Sequence, residues 1–415
     1  MDTKNLIPKL RFPEFNYTYD NILLKNNIEI LSGYAFKSKY FGKTGSKLAI
    51  PKNFTKNGFG NFSEKYSKYT TEVVHEKYIC KEGDLLILLT DLTQSCELLG
   101  KPLLIKKEDG KVLLNQRVIK VTVKKKLNNN FLMYQLLTDT YHKRIKETSS
   151  GTTVRHSSNQ IINNINLNIP QLPEQEKIAS FLTEVDSKLT QLTKKKALLE
   201  NYKKGVMQKI FNQKIRFKDN KGNKFPNWKE KTLGEVATFL KGKGLPKTEI
   251  NKNSKYKCIH YGELFTKYDE KINNIISRTN YNDKKLLSIE NDVLMPTSDV
   301  TPNGLATASC LNESNIILGG DILIIRQKIK IIEGVYLAYY IKNFRKDVMK
   351  LVSGSTVYHL YGSDMKNLKL KLPCLEEQEK IANFLSEIDN KIKTLNTKIE
   401  NNKSFKKGLL QKMFV

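Results

Sequence analysis

Of the five histidines in the chain, only His156 and His359 share a setting. Each closes a similar loop, Ser150-Gly151-Thr152-Thr153-Val154-Arg155-His156 and Ser353-Gly354-Ser355-Thr356-Val357-Tyr358-His359. A histidine so placed could move a proton, ligate a metal or serve as a hydrogen-bonding cap. No metal-ligand spacing accompanies either one, so the cap or buried hydrogen bond is the reading favoured here. Other catalytic signatures are missing. There is no H-E-x-x-H, G-x-S-x-G or C-x-x-C, and no N-P-P-Y or D-P-P-Y of the kind that holds a base for amino-methylation. Gly42-Lys43-Thr44 has the tail of a phosphate-binding loop, but Lys37 stands where its first glycine belongs. What remains is a set of hydrogen-bond donors in glycine-rich loops or beside strand candidates. In the first half these are Lys37, Ser38, Gln116, Arg117, Arg155 and His156; in the second, Lys241, Lys243, Ser298, Tyr358 and His359. Such groups suit phosphate oxygens and base edges. An ordinary solvated surface is the competing reading for each, and a strand-edge role competes for Asn115-Gln116-Arg117.

The charge gives those donors a context. Across 415 residues, 71 Lys and Arg stand against 42 Asp and Glu, a net charge of +29. An excess of this size points to a polyanionic partner bound in a salt-dependent way. A Lys- and Asn-rich composition inherited from an AT-rich genome is the alternative. Hydrophobic residues at 39% and aromatics at 9% are enough for packed domains, and the length suggests two to four of them. The longest apolar run, Leu85 to Leu89, is strand-sized and far short of the roughly 18 residues of a membrane span. The opening residues carry no signal-peptide stretch, and the five cysteines form no paired motif. A soluble, cytoplasmic protein without a membrane partner, disulfide framework or bound metal is expected.

The elements that must position the donors come in duplicate. The segment from Pro170 to Phe211 aligns without a gap on that from Pro373 to Phe414, with 21 of 42 positions identical. The Ser-Gly loops keep the same offset. Farther upstream the register loosens: Gly83-Asp84 resembles Asn291-Asp292, Gly33 resembles Gly242, and Phe12-Pro13 resembles Phe225-Pro226. Two divergent domains are each followed by a near-copied segment.

Each copied segment carries a heptad stripe. In the first, Ile178, Leu182, Val185, Leu189, Leu192, Leu199, Val206 and Ile210 follow steps of four and three, with Lys196 and Lys203 as polar interruptions. In the second, Ile381, Leu385, Ile388, Ile392, Leu395, Ile399, Leu409 and Met413 hold the same seam, broken by Asn402. The pattern predicts coiled-coil helices of roughly 38 residues, about 57 Å long. Glu174 and Glu176 near the start and Lys203, Lys204 and Lys209 near the end suit the helix dipole, and Pro173 fits the first turn. Neither helix can bury its seam alone. The other copy in the same chain, packed antiparallel on a pseudo-two-fold axis, is the simplest partner, and a helix from another polypeptide is the rival. The helices carry eight Lys and five acidic residues each, so most of the positive charge lies in the divergent domains.

Those domains mix strand candidates (Asp84–Thr90, Val112–Leu114, Val118–Val123, Asp292–Met295, Asp321–Gln327) with short amphipathic helices at Leu132–Leu137 and Tyr336–Ile341. The expected fold class is mixed α/β (α+β). Two tandem divergent domains, 1–169 and 214–372, alternate with the copied long helices, 170–213 and 373–415.

Leu172-Pro173-Glu174-Gln175-Glu176-Lys177-Ile178-Ala179, its copy Leu375-Glu376-Glu377-Gln378-Glu379-Lys380-Ile381-Ala382, the Gly-Thr/Ser-Thr-Val loops and Ser32-Gly33-Tyr34-Ala35-Phe36 carry a resemblance. Over nearly its whole length the chain is similar to the DNA-specificity (S) subunit of type I restriction–modification systems. The resemblance implies that each recognition domain reads one half of a bipartite, asymmetric site in double-stranded DNA, with the paired helices as a ruler for the spacer. It implies a non-catalytic subunit that recruits two methyltransferase (M) subunits and, through them, restriction–translocase (R) subunits. S-adenosylmethionine, ATP and magnesium would belong to those partners. Glu376 in place of Pro173 predicts a different start for the second helix, and Tyr358 in place of Arg155 makes the two loops chemically unequal. On the residues alone, a stand-alone DNA-modifying enzyme and a coiled-coil scaffold or RNA-binding adaptor remain the alternatives.

Overall fold

The computed structural model describes residues 7–91, 93, 95–152, 154–281 and 286–415. Thr153 of the first Ser-Gly loop lies outside the described residues. The chain divides into two compact units, Met1–Thr193 with Lys398–Val415, and Lys194–Thr397. Both long helices, Leu172–Phe211 and Leu375–Met413, therefore contribute one half to each unit.

The first unit is built on an antiparallel four-stranded sheet in the order Ile28–Ser32, Val118–Val123, Leu85–Leu88, Pro102–Leu104. The run Leu85-Leu86-Ile87-Leu88 is unbroken by polar residues because both faces of its strand are covered. Leu85 and Ile87 enter one core with the helices, and Leu86 and Leu88 enter a second core on the opposite face. A mixed five-stranded sheet, ordered Phe41–Gly42, Tyr69–Thr70, Ser46–Ala49, Val112–Leu114, Ile79–Cys80, packs beyond that second face. The second unit repeats the scheme. Its five-stranded sheet runs Ala237–Lys241, Ile322–Gln327, Asp292–Pro296, Ser309–Leu311, Lys271–Ile272, with Val293, Met295, Leu323 and Ile325 on one face and Leu294, Ile322 and Ile324 on the other. The strand candidates form strands: Val112–Leu114 and Val118–Val123 at their expected bounds, Asp292–Pro296 one residue longer, and two trimmed, since Asp321 has φ +58 and lies outside its strand and Thr90 belongs to a separate two-stranded pair.

The two short helices differ from their amphipathic expectation. Asn129–Gln135 is buried from Phe131 through Gln135, and Gly334–Asn343 from Gly334 through Ile341. Each is enclosed by the sheet on one side and a long helix on the other, so no face is left for water. Asn128 and Glu333 cap them by accepting from Phe131 N and Tyr336 N.

The heptad seams are buried, save that Leu189, Leu192, Leu199, Val206 and Ile392 are half-buried, and they pair within the chain. In the first unit Ile178, Leu182 and Val185 share a core with Leu409 and Met413, which sets the start of one helix against the end of the other. In the second unit Met207 and Ile210 meet Ile381 and Leu385 in the same antiparallel sense. Lys203, read as a polar interruption, and its unanticipated copy Lys406 each pair with an aspartate of the other helix. Lys203 Nζ lies 2.6 Å from both oxygens of Asp389, whose Oδ2 accepts from Tyr339 at 2.6 Å. Reciprocally, Lys406 Nζ meets Asp186 at 2.7 and 2.8 Å, and Tyr134 donates to the same carboxylate at 2.8 Å. The two helices also begin at equivalent leucines, Leu172 and Leu375, so Glu376 does not shift the start. A glutamate suits the first turn as well as a proline does, because it needs no intrahelical N–H partner there and favours the positive end of the dipole.

Candidate nucleic-acid interface

The most recognisable motif proves to be internal. Glu174 is 2% exposed and accepts from Arg11 Nε at 2.8 Å, Arg11 Nη2 at 2.7 Å and the Tyr19 hydroxyl at 3.2 Å. Glu377 repeats the clasp with Arg216 (3.0 and 2.6 Å) and Trp228 Nε1 (3.0 Å). The hydrogen bonds to these glutamates raise the pKa of Arg11 and Arg216 further, against the opposing effect of burial. Gln175 and Gln378 are fully buried staples. Each accepts from one backbone N–H, Asn128 or Glu333, and donates to two carbonyls, Lys126 and Pro170, or Ile331 and Pro373. With every polar group of the Glu-Gln pair committed, the motif anchors each unit to its helix and has nothing left to offer a ligand. Sequence reasoning gave Glu174 to the helix dipole alone and missed Arg11 and Arg216. The signal available was an Arg-Phe pair followed by an aromatic in both repeats, Tyr19 and Trp228.

The duplicated histidines occupy matching sites. Arg155–His156 pairs with Thr90–Asp91, and His156 Nδ1 lies 3.2 Å from Thr90 Oγ1. Tyr358–His359 pairs with Ser298–Asp299, and His359 Nδ1 lies 3.0 Å from Ser298 Oγ. Backbone bonds between Ser150 and His156, and between Ser353 and His359, close each loop. Asp91 and Asp299 turn the following segment by accepting from Thr93 and Thr301. These pairs hold the two loops in place. Thr90-Asp91 and Ser298-Asp299 had the same offset as Asp84 and Asp292, a repeat signal that was overlooked.

Cationic grooves lie elsewhere. In the first unit a groove of about 540 Å³ has an apolar floor that includes Phe36, Phe41, Leu48 and Ile50, with Lys52, Lys65, Tyr66, Lys68, Asn115, Gln116 and Arg117 around it. Lys68 Nζ sits 3.6 Å above the Phe41 ring, which holds an ammonium over the floor. In the second unit a groove of about 690 Å³ is lined by Thr238, Phe239, Lys241, Lys328, Tyr361 and Lys366 among others. Lys241 is 3.5 Å from Asp321 there, an exposed pair that a competing anion can break.

Of the expected site residues, Gln116 and Arg117 are brought together in the first groove, and Lys241 lines the second. Lys37 and Ser38 are exposed at the neighbouring turn, where Lys37 N donates to Glu72 at 2.8 Å, and neither lines the groove. Lys243 is exposed, with its backbone N–H donating to Leu318 O at 3.3 Å. Arg155 and His156, and likewise Ser298, Tyr358 and His359, belong to the small paired strands instead. Lys52, Lys65, Tyr66, Lys68, Lys328, Tyr361 and Lys366 were not anticipated, and only their cationic or aromatic character could have suggested them. Among the described residues no group of three His, Cys, Asp or Glu is placed to hold a metal ion, and no helix is long and apolar enough to cross a membrane.

Comparison with known proteins adds the following. A family model described as the type I restriction modification DNA specificity domain matches residues 18–201 and again 226–402. The chain is similar to the type I restriction enzyme MjaVIII specificity subunit of Methanocaldococcus jannaschii, at 25% identity over 82% of this chain and 80% of that one. It is also similar to the putative type I restriction enzyme MjaX specificity subunit of the same organism, at 25% identity over 69% of this chain and 67% of that one. Among solved structures, the type I restriction-modification S subunit from M. genitalium shares the fold with a TM-score of 0.65 at 15% identity, covering 99% of both chains.

Proposed function

Because the chain belongs to the type I restriction–modification DNA specificity family, we propose that it reads a bipartite, asymmetric site in double-stranded DNA, one half per unit. It docks two methyltransferase subunits and, through them, restriction–translocase subunits, and it catalyses nothing itself. S-adenosylmethionine, ATP and magnesium are bound by those partners, in the cytoplasm. The observation that carries this reading is a shared internal scaffold bearing unlike surfaces. The glutamate clasp, the glutamine staple and the hydroxyl–imidazole pair recur in both units, whereas the cationic groove lies at a different place in each and is built from different residues. Such a chain would present two different half-site readers on one frame, with lysines positioning phosphates and other donors reading bases.

The two long helices act in this reading as the ruler for the unspecified spacer. Adding or removing whole turns in the Thr193–Tyr202 stretch then changes the spacer and leaves both half-sequences alone; a constant spacer in such variants refutes the ruler. The non-catalytic assignment is tested by incubating the purified chain with DNA and labelled S-adenosylmethionine, with and without methyltransferase subunits. Transfer only when the subunits are added is expected. Transfer by the chain alone would make it a stand-alone enzyme.

A further inference from the structure

One turn recurs in both units with the same backbone wiring and different side chains. In the first unit it is Asn115-Gln116-Arg117, between the strands Val112–Leu114 and Val118–Val123. There Leu89 N donates to Arg117 O at 3.0 Å and Gly33 N donates to Val118 O at 3.1 Å. In the second unit Thr297 N donates to Asp321 O at 2.9 Å and Gly242 N donates to Ile322 O at 2.9 Å. Gly33 and Gly242 lie so close that a Cβ on either would fall 2.0 Å from the carbonyl oxygen of Asn115 or Gly319. This wiring equates Asn115-Gln116-Arg117 with Gly319-Gly320-Asp321. A backbone held from two sides, with a tip free to vary, can change what is read without moving where it is read.

The side chains at the first tip are uncommitted. Seven of the eight arginines in the chain donate from their guanidinium to the protein: Arg11, Arg216 and Arg326 to carboxylates, Arg144, Arg278 and Arg345 to carbonyls, and Arg155 to Ser149. Among the described residues the Arg117 guanidinium has no such partner, and neither has the Gln116 amide, though both are exposed at the groove. An arginine fork fits O6 and N7 of guanine, a glutamine amide fits N6 and N7 of adenine, and a carboxylate accepts from N4 of cytosine.

We propose that this turn is the base-reading element of each unit, an inference that rests on the DNA-reading function above. Arg117 reads a guanine and Gln116 a neighbouring adenine in one half-site; in the other, Asp321, which holds Lys241 at 3.5 Å and accepts from Thr297 Oγ1 at 3.4 Å in the free protein, reads a cytosine once that lysine turns to a phosphate. Lys52, Lys65 and Lys68 border the first turn as phosphate contacts.

The test is selection of bound duplexes from a randomised library by the full chain in complex with its methyltransferase subunits. Arg117→Ala should lose about 5- to 150-fold discrimination at a single guanine of one half-site, and Gln116→Ala should do so at an adenine of that half. Asp321→Asn, which tolerates the left-handed backbone at this position, should alter only the other half. Lys68→Ala should weaken all sequences alike and lower the salt slope by about one ion. The unaltered half-site reports that each variant is folded. Wild-type motifs from all three tip variants would overturn the proposal and leave the DNA-reading function standing. A wild-type complex that selects no motif would overturn both.

Discussion

The Lys406–Asp186 pair permits a sharp test of how the first unit is held together. Both side chains are 8% exposed, and Tyr134 donates to the same carboxylate at 2.8 Å. Burial lowers the pKa of Lys406, and Asp186 is the group that opposes this. In Asp186→Ala the ammonium stays in its pocket without a counter-charge, and the Tyr134 hydroxyl keeps only Thr183 Oγ1, at 3.3 Å, as an acceptor. Breaking a buried pair from one side costs about 3–5 kcal/mol, a large part of the roughly 5–15 kcal/mol that stabilises a typical domain. Replacing both partners, as Asp186→Leu with Lys406→Met, removes the uncompensated charge and should fall between neutral and about 4 kcal/mol stabilising. Urea unfolding followed by hydrogen exchange on peptides from 129–148 and 398–415 isolates the unit concerned. A loss below about 1 kcal/mol in the single variant, the range of exposed pairs, would refute the reasoning. So would a double variant as damaged as the single one, since packing and not charge would then explain the loss.

Three further outcomes follow from the same unit. Burial pushes His142 down to about 4, helped by Lys101 and Lys146, while its Nε2 lies 2.9 Å from Cys96 O. Between the ordinary histidine value near 6.5 and about 4, the unfolded chain binds a proton that the folded one refuses, so stability falls as pH drops through that window. Urea midpoints at several pH values should show this, and His142→Gln should flatten the slope; an unchanged slope would contradict it. Burial likewise pushes Lys101 down to about 8, so stability rises as pH climbs from there toward 10.5. Lys101→Met should remove that rise and stabilise the chain near neutral pH by about 1–3 kcal/mol in a thermal melt, and destabilisation would contradict the account. Gly33→Ala puts a Cβ 2.0 Å from a backbone oxygen, whereas one on Gly42 meets nothing within 4 Å. The first should cost about 1–3 kcal/mol and the second little, and equal losses in calorimetry would show that the close approach is unimportant.

The parts of this structure that sequence exposes are those set by local period. The steps of four and three in Ile178, Leu182 and Val185 mark a helix face whatever packs on it, and Leu85 to Leu88 reads as a strand because its neighbours in sequence are its neighbours in the element. The duplication supplied the remainder, since a helix that must bury a seam and has a copy of itself in the chain has an obvious partner. Where sequence reasoning went astray, the deciding partner was far away. Lys203 looks like a flaw in a stripe until Asp389 faces it, and its copy Lys406 draws no notice until Asp186 does. Gly334–Asn343 looks amphipathic because Tyr336, Tyr339 and Tyr340 carry hydroxyls, yet all three rings are buried and the Tyr339 hydroxyl is satisfied by Asp389. The first groove gathers residues from near 36, 52, 66 and 116, and no spacing rule links them. Gln116 and Arg117 stand out in the sequence because they sit at a strand end, whereas the lysines that share their groove are indistinguishable from many others.

The central claim is that this chain selects a two-part DNA sequence for its partners to modify. It is tested most directly by mapping methylated adenines across the genome of a host that carries the partner subunits, with and without the gene for this chain. The account expects one asymmetric, interrupted motif to be methylated only when the chain is present. An identical methylation pattern in the two strains would contradict it.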